Sequence, residues 1–389
     1  MKKLLTALVA LALVTTPLSS WAAPTVYKNC TAMNKVYSNG VAQSSKFKNL
    51  GKGPIATPKI DAKIYLANKK LDTDKDGIAC EKVKPASDSS AQPTTPAGVG
   101  FAAIDKNSWK IAHAAVFAAV AAGTSTPKLN YQVGPALPES RLASRKVALT
   151  TAAKLWSRWF SPATVEAIYW SENDAVWAED KLATGWNYRT NLQQIAQGER
   201  GNCGSAGANG DPQVVSFHEC VGSNLDNVPS SVQTTPHEYT HLFQNKYGGC
   251  AKYDWYCEGG AAFFGSTIGN INDVDGSKRL AQLQLWSGNL GSNRALVAAG
   301  DKATIIKLLN DWEGGSHTRD AIAGSYFLGN LATEVLVAAH GVDKWAEFTI
   351  SLAGPYDFDY YFEKSFGVGT QSFYQTVAEY VAAQPELFR

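Results

Sequence analysis

Apolar residues recur every three to four positions over Leu142–Phe160, the spacing that turns one helix face toward a core. Val165–Trp170 and Val214–Cys220 are instead short runs rich in apolar and aromatic residues, which predicts buried strands. Beyond them the helical spacing dominates. One helix is expected to start between Ser230 and Thr235, because Pro236 is tolerated only in a first turn, and to run to Tyr247 before Gly248-Gly249 end it. Further helices are predicted over Glu258–Ile268, over Ala321–Ala339 with a stop near Gly341, over Lys344–Ala353 and over Ser372–Ala383. A few early strands followed by many helices make the class α+β, mostly helical with a small sheet near the start of the large domain.

The first residues carry a different signal. Lys2 and Lys3 precede an apolar run, Leu4–Val14, and Ser20-Trp21-Ala22 fits a small-x-small cleavage site. This predicts a secretory signal peptide over 1–22. Cutting after Ala23 instead would put Trp21 at −3 and Pro24 at +1. No later apolar run approaches twenty residues; Ile111–Ala122 is the nearest, and His113 breaks it. No membrane span is therefore expected in the mature chain, which should be exported, secreted or held at a bacterial cell envelope, and monomeric. The formal charge of +2 falls to neutral once Lys2 and Lys3 leave with the peptide. A neutral chain has no electrostatic footprint for nucleic acid.

Composition divides the remainder. Residues 23–84 form a small lysine-rich module with a cysteine near each end. Residues 85–106 read as a flexible linker, since Pro85 to Gly98 holds no large apolar residue and cannot bury enough surface to fold. Residues 107–389 form the large domain. All six cysteines, Cys30, Cys80, Cys203, Cys220, Cys250 and Cys257, lie after the leader. An even number in an exported chain suggests disulfides, with fifteen pairings open and neighbour logic favouring 30–80, 203–220 and 250–257. Structural zinc on thiolates is disfavoured, because no two cysteines stand at C-x-x-C spacing.

Asp72-Thr73-Asp74-Lys75-Asp76-Gly77 places carboxylates at positions 1, 3 and 5 of a loop with glycine at 6. Carboxylates at alternate positions of a tight loop converge on one hard cation, and the glycine permits the sharp turn. The Ile78 carbonyl adds a backbone ligand. Val83 stands where an EF-hand has its glutamate, which leaves Glu81 as the nearest substitute. The module resembles the Excalibur extracellular calcium-binding region, through Asp72, Asp74, Asp76, Gly77, Cys80 and Glu81 with Cys30 upstream. The resemblance implies bound calcium and a cysteine partner for Cys80. It also leaves open a tether to the cell wall.

His237-Glu238-Tyr239-Thr240-His241 puts two histidines at i and i+4, one helical turn apart, with a glutamate between them. That spacing grips one zinc ion and sets Glu238 beside it as a proton acceptor. Glu258 follows seventeen positions after His241 and supplies a third ligand, leaving a fourth position open. A bridge between Cys250 and Cys257 would fix the connection that delivers it.

On these residues the large domain resembles the gluzincin metallopeptidases. Trp255-x-x-Glu258-Gly259-x-Ala261 looks like the stretch around the third ligand in their aminopeptidase branch. Tyr326-x-x-Gly329 falls where that branch carries a tyrosine that donates to the oxyanion. The resemblance implies zinc on His237, His241 and Glu258, Glu238 as general base, and Tyr326 with zinc stabilising the oxyanion during hydrolysis of a peptide bond. The chain also departs from the family. It has no Gly-x-Met-Glu-Asn segment, so aminopeptidase specificity is not implied, and Cys257 and Ala262 replace residues of the usual support around the third ligand. The strand near Val214–Cys220 is expected to offer an edge to extended substrate. His218-Glu219 lacks a second histidine at Gly222, and Glu313-Gly314-Gly315-Ser316-His317 echoes the Glu258 run only superficially, as a surface turn. His113 and His340 read as structural. The competing function is a cell-envelope binding or adhesion protein that keeps the scaffold without turnover.

Overall fold

A computed structural model describes residues 24–44, 58–73, 75–81, 98–182, 203, 206–209, 215–223, 232–250, 253–313, 319–355 and 357–389. The chain forms two compact units, Met1–Ala91 and Gln92–Arg389.

In the first unit, helix α1 (Cys30–Asn34) is capped by the Asn29 side chain, which accepts from the Ala32 amide. Strand β1 (Val41–Ala42) lies between β2 (Lys59–Ile60), to which it is parallel, and β3 (Ile78–Ala79), to which it is antiparallel. Helix α2 (Ala62–Ala67) starts on Asp61, whose carboxylate accepts two backbone amides. The core is small: Met33, Val41, Tyr65, Ala79 and Cys80. A disulfide joins Cys30 to Cys80 across it.

The second unit begins with α3 (Ser108–Ala122), β4 (Lys128–Val133), α4 (Glu139–Trp156), β5 (Thr164–Trp170), α5 (Ala175–Leu182), β6 (Ala206–Ala208) and β7 (Ser216–Cys220). The sheet order is β4-β5-β7-β6, parallel except for β6, which runs antiparallel to β7 with Ala206 opposite Glu219. The later helices are α6 (Thr234–Lys246), α7 (Asp254–Gly269), α8 (Ser277–Ser287), α9 (Arg294–Ala298), α10 (Lys302–Asp311), α11 (Arg319–Ser325), α12 (Leu328–Ser351), α13 (Phe358–Phe366) and α14 (Thr370–Ala382). The unit is therefore mostly helical α+β, as the periodicity predicts. Stacked and edge-on rings fill its centre: Trp156 lies 4.5 Å from Phe243 and 4.8 Å from Phe264, which in turn lies 4.8 Å from Trp345.

Several expectations shift on inspection. Gly341, at φ 80° and ψ 168°, interrupts α12 where a stop was expected, and helical turns resume directly after it. The predicted helix over 258–268 begins earlier, at Asp254, so Glu258 stands one turn inside it rather than at its start. Residues 98–106, assigned by composition to the linker, are held on the second unit. Val99 and Gly100 donate to the carbonyls of Ala338 and Ala339, and Phe101 packs on His340. The apolar Phe101 and Ile104 pack against the core, which explains why this end is held. The stretch Asp320–Ser351 is long and apolar enough to cross a membrane, and 83% of its apolar window is buried within the fold.

Candidate metal centre

Two helix crossings build the site. At the first, α6 meets α7 with almost no space: a Cβ at Gly265 would lie 2.8 Å from the Gln233 carbonyl oxygen and 2.9 Å from His237 Cβ. At the second, α7 meets α12 backbone to backbone. A Cβ at Gly259 would lie 2.2 Å from the Gly329 carbonyl carbon, and one at Gly329 would lie 2.4 Å from the Trp255 carbonyl oxygen. Gly259, next to Glu258, and Gly329, three residues after Tyr326, thus face each other, and this close approach lets Glu258 and Tyr326 reach the histidines of α6. Pro236 sits in the first turn of α6, where no intrahelical donor is needed.

His237 Nε2 and His241 Nε2 lie 3.0 Å apart, and Glu258 Oε2 lies 3.4 and 3.5 Å from them. Tetrahedral zinc with bonds of about 2.0–2.1 Å spaces its ligands at roughly 3.3 Å. Three donors of two types converge at that spacing, so the residues fit a single zinc ion. The Tyr326 hydroxyl lies 3.3 Å from His237 Nε2, its ring stacked on the imidazole at 5.2 Å and 7°, with Trp286 edge-on behind it at 5.4 Å. The predicted set His237, His241, Glu258 and Tyr326 is therefore assembled around one point.

Charge is distributed unevenly over this cluster. Burial works to raise the Glu258 carboxyl, but His241 and His237 hold it well below the usual carboxylate range. His241 is the reverse case: burial opposes its charge, yet Glu258 and Glu238 lift it to about 9. Burial lowers His237. Glu238 is buried and pushed up to about 8, first by desolvation and then by Glu258 and Glu219, with His241 and the Ala208 backbone pulling the other way. Glu238 thus faces the last residue of β6.

Around the ligands lies a shell that sequence reasoning missed. Gln244 donates through Nε2 to the carbonyls of Tyr256 and Cys257, at 3.2 and 3.0 Å. Its Oε1 is thereby directed at His241 Nδ1, 2.9 Å away, so Nδ1 donates to it and Nε2 is the nitrogen turned toward the centre. The available signal was position: Gln244 stands at i+3 from His241 on the same helix face. Beneath Glu238, Glu219 pairs with Arg145 at 2.9 Å and accepts from Thr235 at 2.5 Å, all buried. The pair His218-Glu219, set aside by its spacing, thus lies in β7 with Glu219 bracing α6 through Thr235. Burial lowers His218 to about 4, and Trp170 donates to its Nδ1 at 3.4 Å.

The structure corrects the expected substrate edge. Strand β7 is interior, bonded to β5 on one side and β6 on the other; among the described residues the outermost strand on that side is Ala206–Ala208. His113 lies in the core 3.7 Å from Glu334, and His340 packs between Phe101 and Phe366. His317 falls outside the described residues, while Glu313 accepts from Tyr374 at 2.6 Å.

In the first unit the calcium loop is wrapped around one carboxylate. Asp72 accepts from the amides of Asp76 and Gly77, at 3.2 and 3.1 Å, and from the Tyr65 hydroxyl at 2.6 Å. Asp76 in turn accepts from the Ile78 amide at 2.8 Å. Lys75 and Gly77 both have positive φ, 63° and 92°. Asp72 and Asp76 are buried, Glu81 is half-buried at the end of the loop, and Asp74 lies outside the described residues. All six cysteines are paired, 30–80, 203–220 and 250–257.

Residues 27–81 match the Excalibur calcium-binding domain. The same region is 53% identical over 57 residues to YhjA of Bacillus subtilis (strain 168), itself an uncharacterized protein. That match covers 15% of this chain and 64% of YhjA, so the chain spans about two thirds of that relative's length. No solved structure matches the chain.

Proposed function

We propose that the second unit is a zinc peptidase, exported together with its calcium-binding Excalibur module and acting outside the cytoplasm. The observation that carries this reading is the triangle of His237 Nε2, His241 Nε2 and Glu258 Oε2, with edges of 3.0, 3.4 and 3.5 Å. Zinc held there supplies an activated water and polarises a carbonyl. The chain's own groups supply the rest. Glu238, buried beside the triangle and facing Ala208, is placed to take a proton from the attacking water and return it to the leaving nitrogen. Tyr326, held between His237 and Trp286, offers its hydroxyl hydrogen to the developing oxyanion. Among the described residues no strand is bonded to the far side of β6, Ala206-Gly207-Ala208, where the Ala208 backbone meets Glu238, and an extended peptide can add there as a further strand. The three disulfides support an oxidising compartment. Peptides or proteins are the substrates, and the calcium module is read as a tether to the cell wall.

Metal analysis and cleavage of a broad peptide library test the reading together. One zinc per chain is expected, with cleavage falling about 10²–10⁴-fold in Glu238→Gln while zinc stays bound. Stoichiometric zinc with no cleavage across the library would leave a metal-stabilised binding protein in place of the enzyme.

A further inference from the structure

Cys250 Sγ and Cys257 Sγ each lie 3.6 Å from His241 Nδ1, and Cys250 Sγ also lies 3.6 Å from Gln244 Oε1. They approach the imidazole through the nitrogen that the His237–Glu258 triangle does not use. Joined as a disulfide, the sulfurs carry no charge and bind no metal. Reduced, they become two thiols beside an imidazole nitrogen, three ligand atoms within 4.8 Å of one another. A tetrahedral ion with bonds of about 2.3 Å to sulfur and about 2.0 Å to nitrogen sets those ligands roughly 3.6 Å apart. Both nitrogen–sulfur separations are therefore in place already. Only the two sulfurs have to part, to roughly 3.8 Å. Gln244 Oε1 or a solvent molecule completes the set.

The geometry points to a second metal site, a thiolate site made of Cys250, Cys257 and His241 Nδ1, which exists only when this disulfide is reduced and which competes with the catalytic centre for one imidazole. A neutral imidazole has a single lone pair. While Nδ1 donates to Gln244, that pair sits on Nε2 and belongs to the triangle. Once Nδ1 binds a cation, the proton moves to Nε2 and the triangle loses a ligand. The chemistry balances: a dithiol reductant passes two electrons and two protons to the disulfide and leaves as its own disulfide, and a soft divalent ion then displaces the two thiol protons to solvent. Cys250 is the half-buried partner and Cys257 the buried one, so attack falls on Cys250. The competition rests on the zinc-peptidase reading; the thiolate site itself does not.

Cobalt(II) titration of the full-length protein tests this, with a phosphine as reductant because it leaves no competing thiol. Reduced wild type is expected to show an intense near-ultraviolet sulfur-to-cobalt band. Oxidised wild type and a reduced Cys250→Ser/Cys257→Ser variant are expected to lack it. One equivalent of zinc should protect two thiols of reduced wild type from a chromogenic reagent and none in the variant, which sets the background from the other four cysteines. Peptide cleavage should fall at least tenfold on reduction. No sulfur band in reduced wild type, or an equal band in the double variant, overturns the proposal. Cobalt binding by the oxidised protein, and its loss in His237→Ala, reports separately on the peptidase centre, so the two ideas fail in different samples.

Discussion

The two units solve the same problem with opposite means. The first has a core of a few side chains, and it turns polar groups inward: Asp72 is buried and enclosed by two amides and a tyrosine hydroxyl. A unit this small needs staples, and it has a disulfide spanning fifty positions and a loop shaped for a cation. The second unit is held by packed rings and by helices that touch backbone to backbone. Its polar cluster is the site, and the surrounding core is what brings it together. The first unit thus relies on a covalent staple and a polar loop, whereas the second unit assembles its polar cluster mainly through the packing around it.

That contrast breaks most sharply at the helix crossings. Gly259→Val places a side chain where the Gly329 backbone already is, a clash that no rotamer relieves. Loss of the second unit's cooperative melt is expected, with calcium-dependent signals of the first unit unchanged. A variant that melts normally would show that α7 and α12 can part without losing the site. Next in size is the staple. Cys30→Ala with Cys80→Ala should destabilise the first unit by about 4 kcal/mol, the chain-entropy value for a loop of this length. Calcium should restore part of that loss and do nothing for the second unit's melt. Equal sensitivity of both units to calcium would erase the comparison.

Another deeply buried charge network of the second unit, around Glu334, gives a pH test. Glu334 accepts from Arg279 at 2.6 and 2.7 Å and from Tyr380 at 2.6 Å. Burial works to raise its pKa, but Arg279 and then His113 bring it down to about 2. A carboxylate lowered on folding contributes stability that is present above its unfolded value, near 4.5, and is lost as pH falls through 2. The melting temperature should therefore fall steeply between those limits. Glu334→Gln should flatten that slope and cost about 3–5 kcal/mol at neutral pH, because Arg279 is left buried without its partner. A variant with an unchanged acid slope would assign the effect to other carboxylates.

What the sequence revealed follows the same division. The calcium loop and the His237–His241 turn are local patterns, so their chemistry is written in consecutive residues. Glu258 and Tyr326 were reachable only through the resemblance of the Trp255–Ala261 and Tyr326–Gly329 stretches to a known family, and the glycines in those stretches are the ones the helix crossing requires. The Arg279–Glu334 pair was not legible, since its partners are 55 positions apart and each reads as a surface residue. Strand β6 was invisible for another reason. Ala-Gly-Ala has no strand preference of its own and becomes a strand only by pairing with β7. Gln244 stood in view at i+3 from His241, but its role depends on two carbonyls on the next helix, which the sequence does not place beside it.

The smallest effect probes how far the first unit prepares its loop before calcium arrives. Tyr65 is buried, its hydroxyl pushed up to about 12 by burial and by Asp72, and it donates to Oδ2 of the residue at position 1 of the loop. Tyr65→Phe removes that donor but leaves the ring and the two amides on Asp72 in place. Two consequences oppose each other. Asp72 gains a free lone pair on Oδ2, which favours the cation; it also loses the bond that fixes its rotamer, which disfavours it. A charge-assisted bond of this kind is worth about 1.5–3 kcal/mol, part of which returns when calcium takes over the oxygen. The rotamer term should dominate, because the amides of Asp76 and Gly77 already satisfy the carboxylate and the tyrosine is the one side chain that ties it to α2. Calcium affinity measured by calorimetry on the full chain should thus weaken, by about three- to tenfold, roughly 1 kcal/mol of net effect. Tighter binding in Tyr65→Phe would show instead that the hydroxyl competes with the ion, and that the loop is held closed by Tyr65 until calcium displaces it.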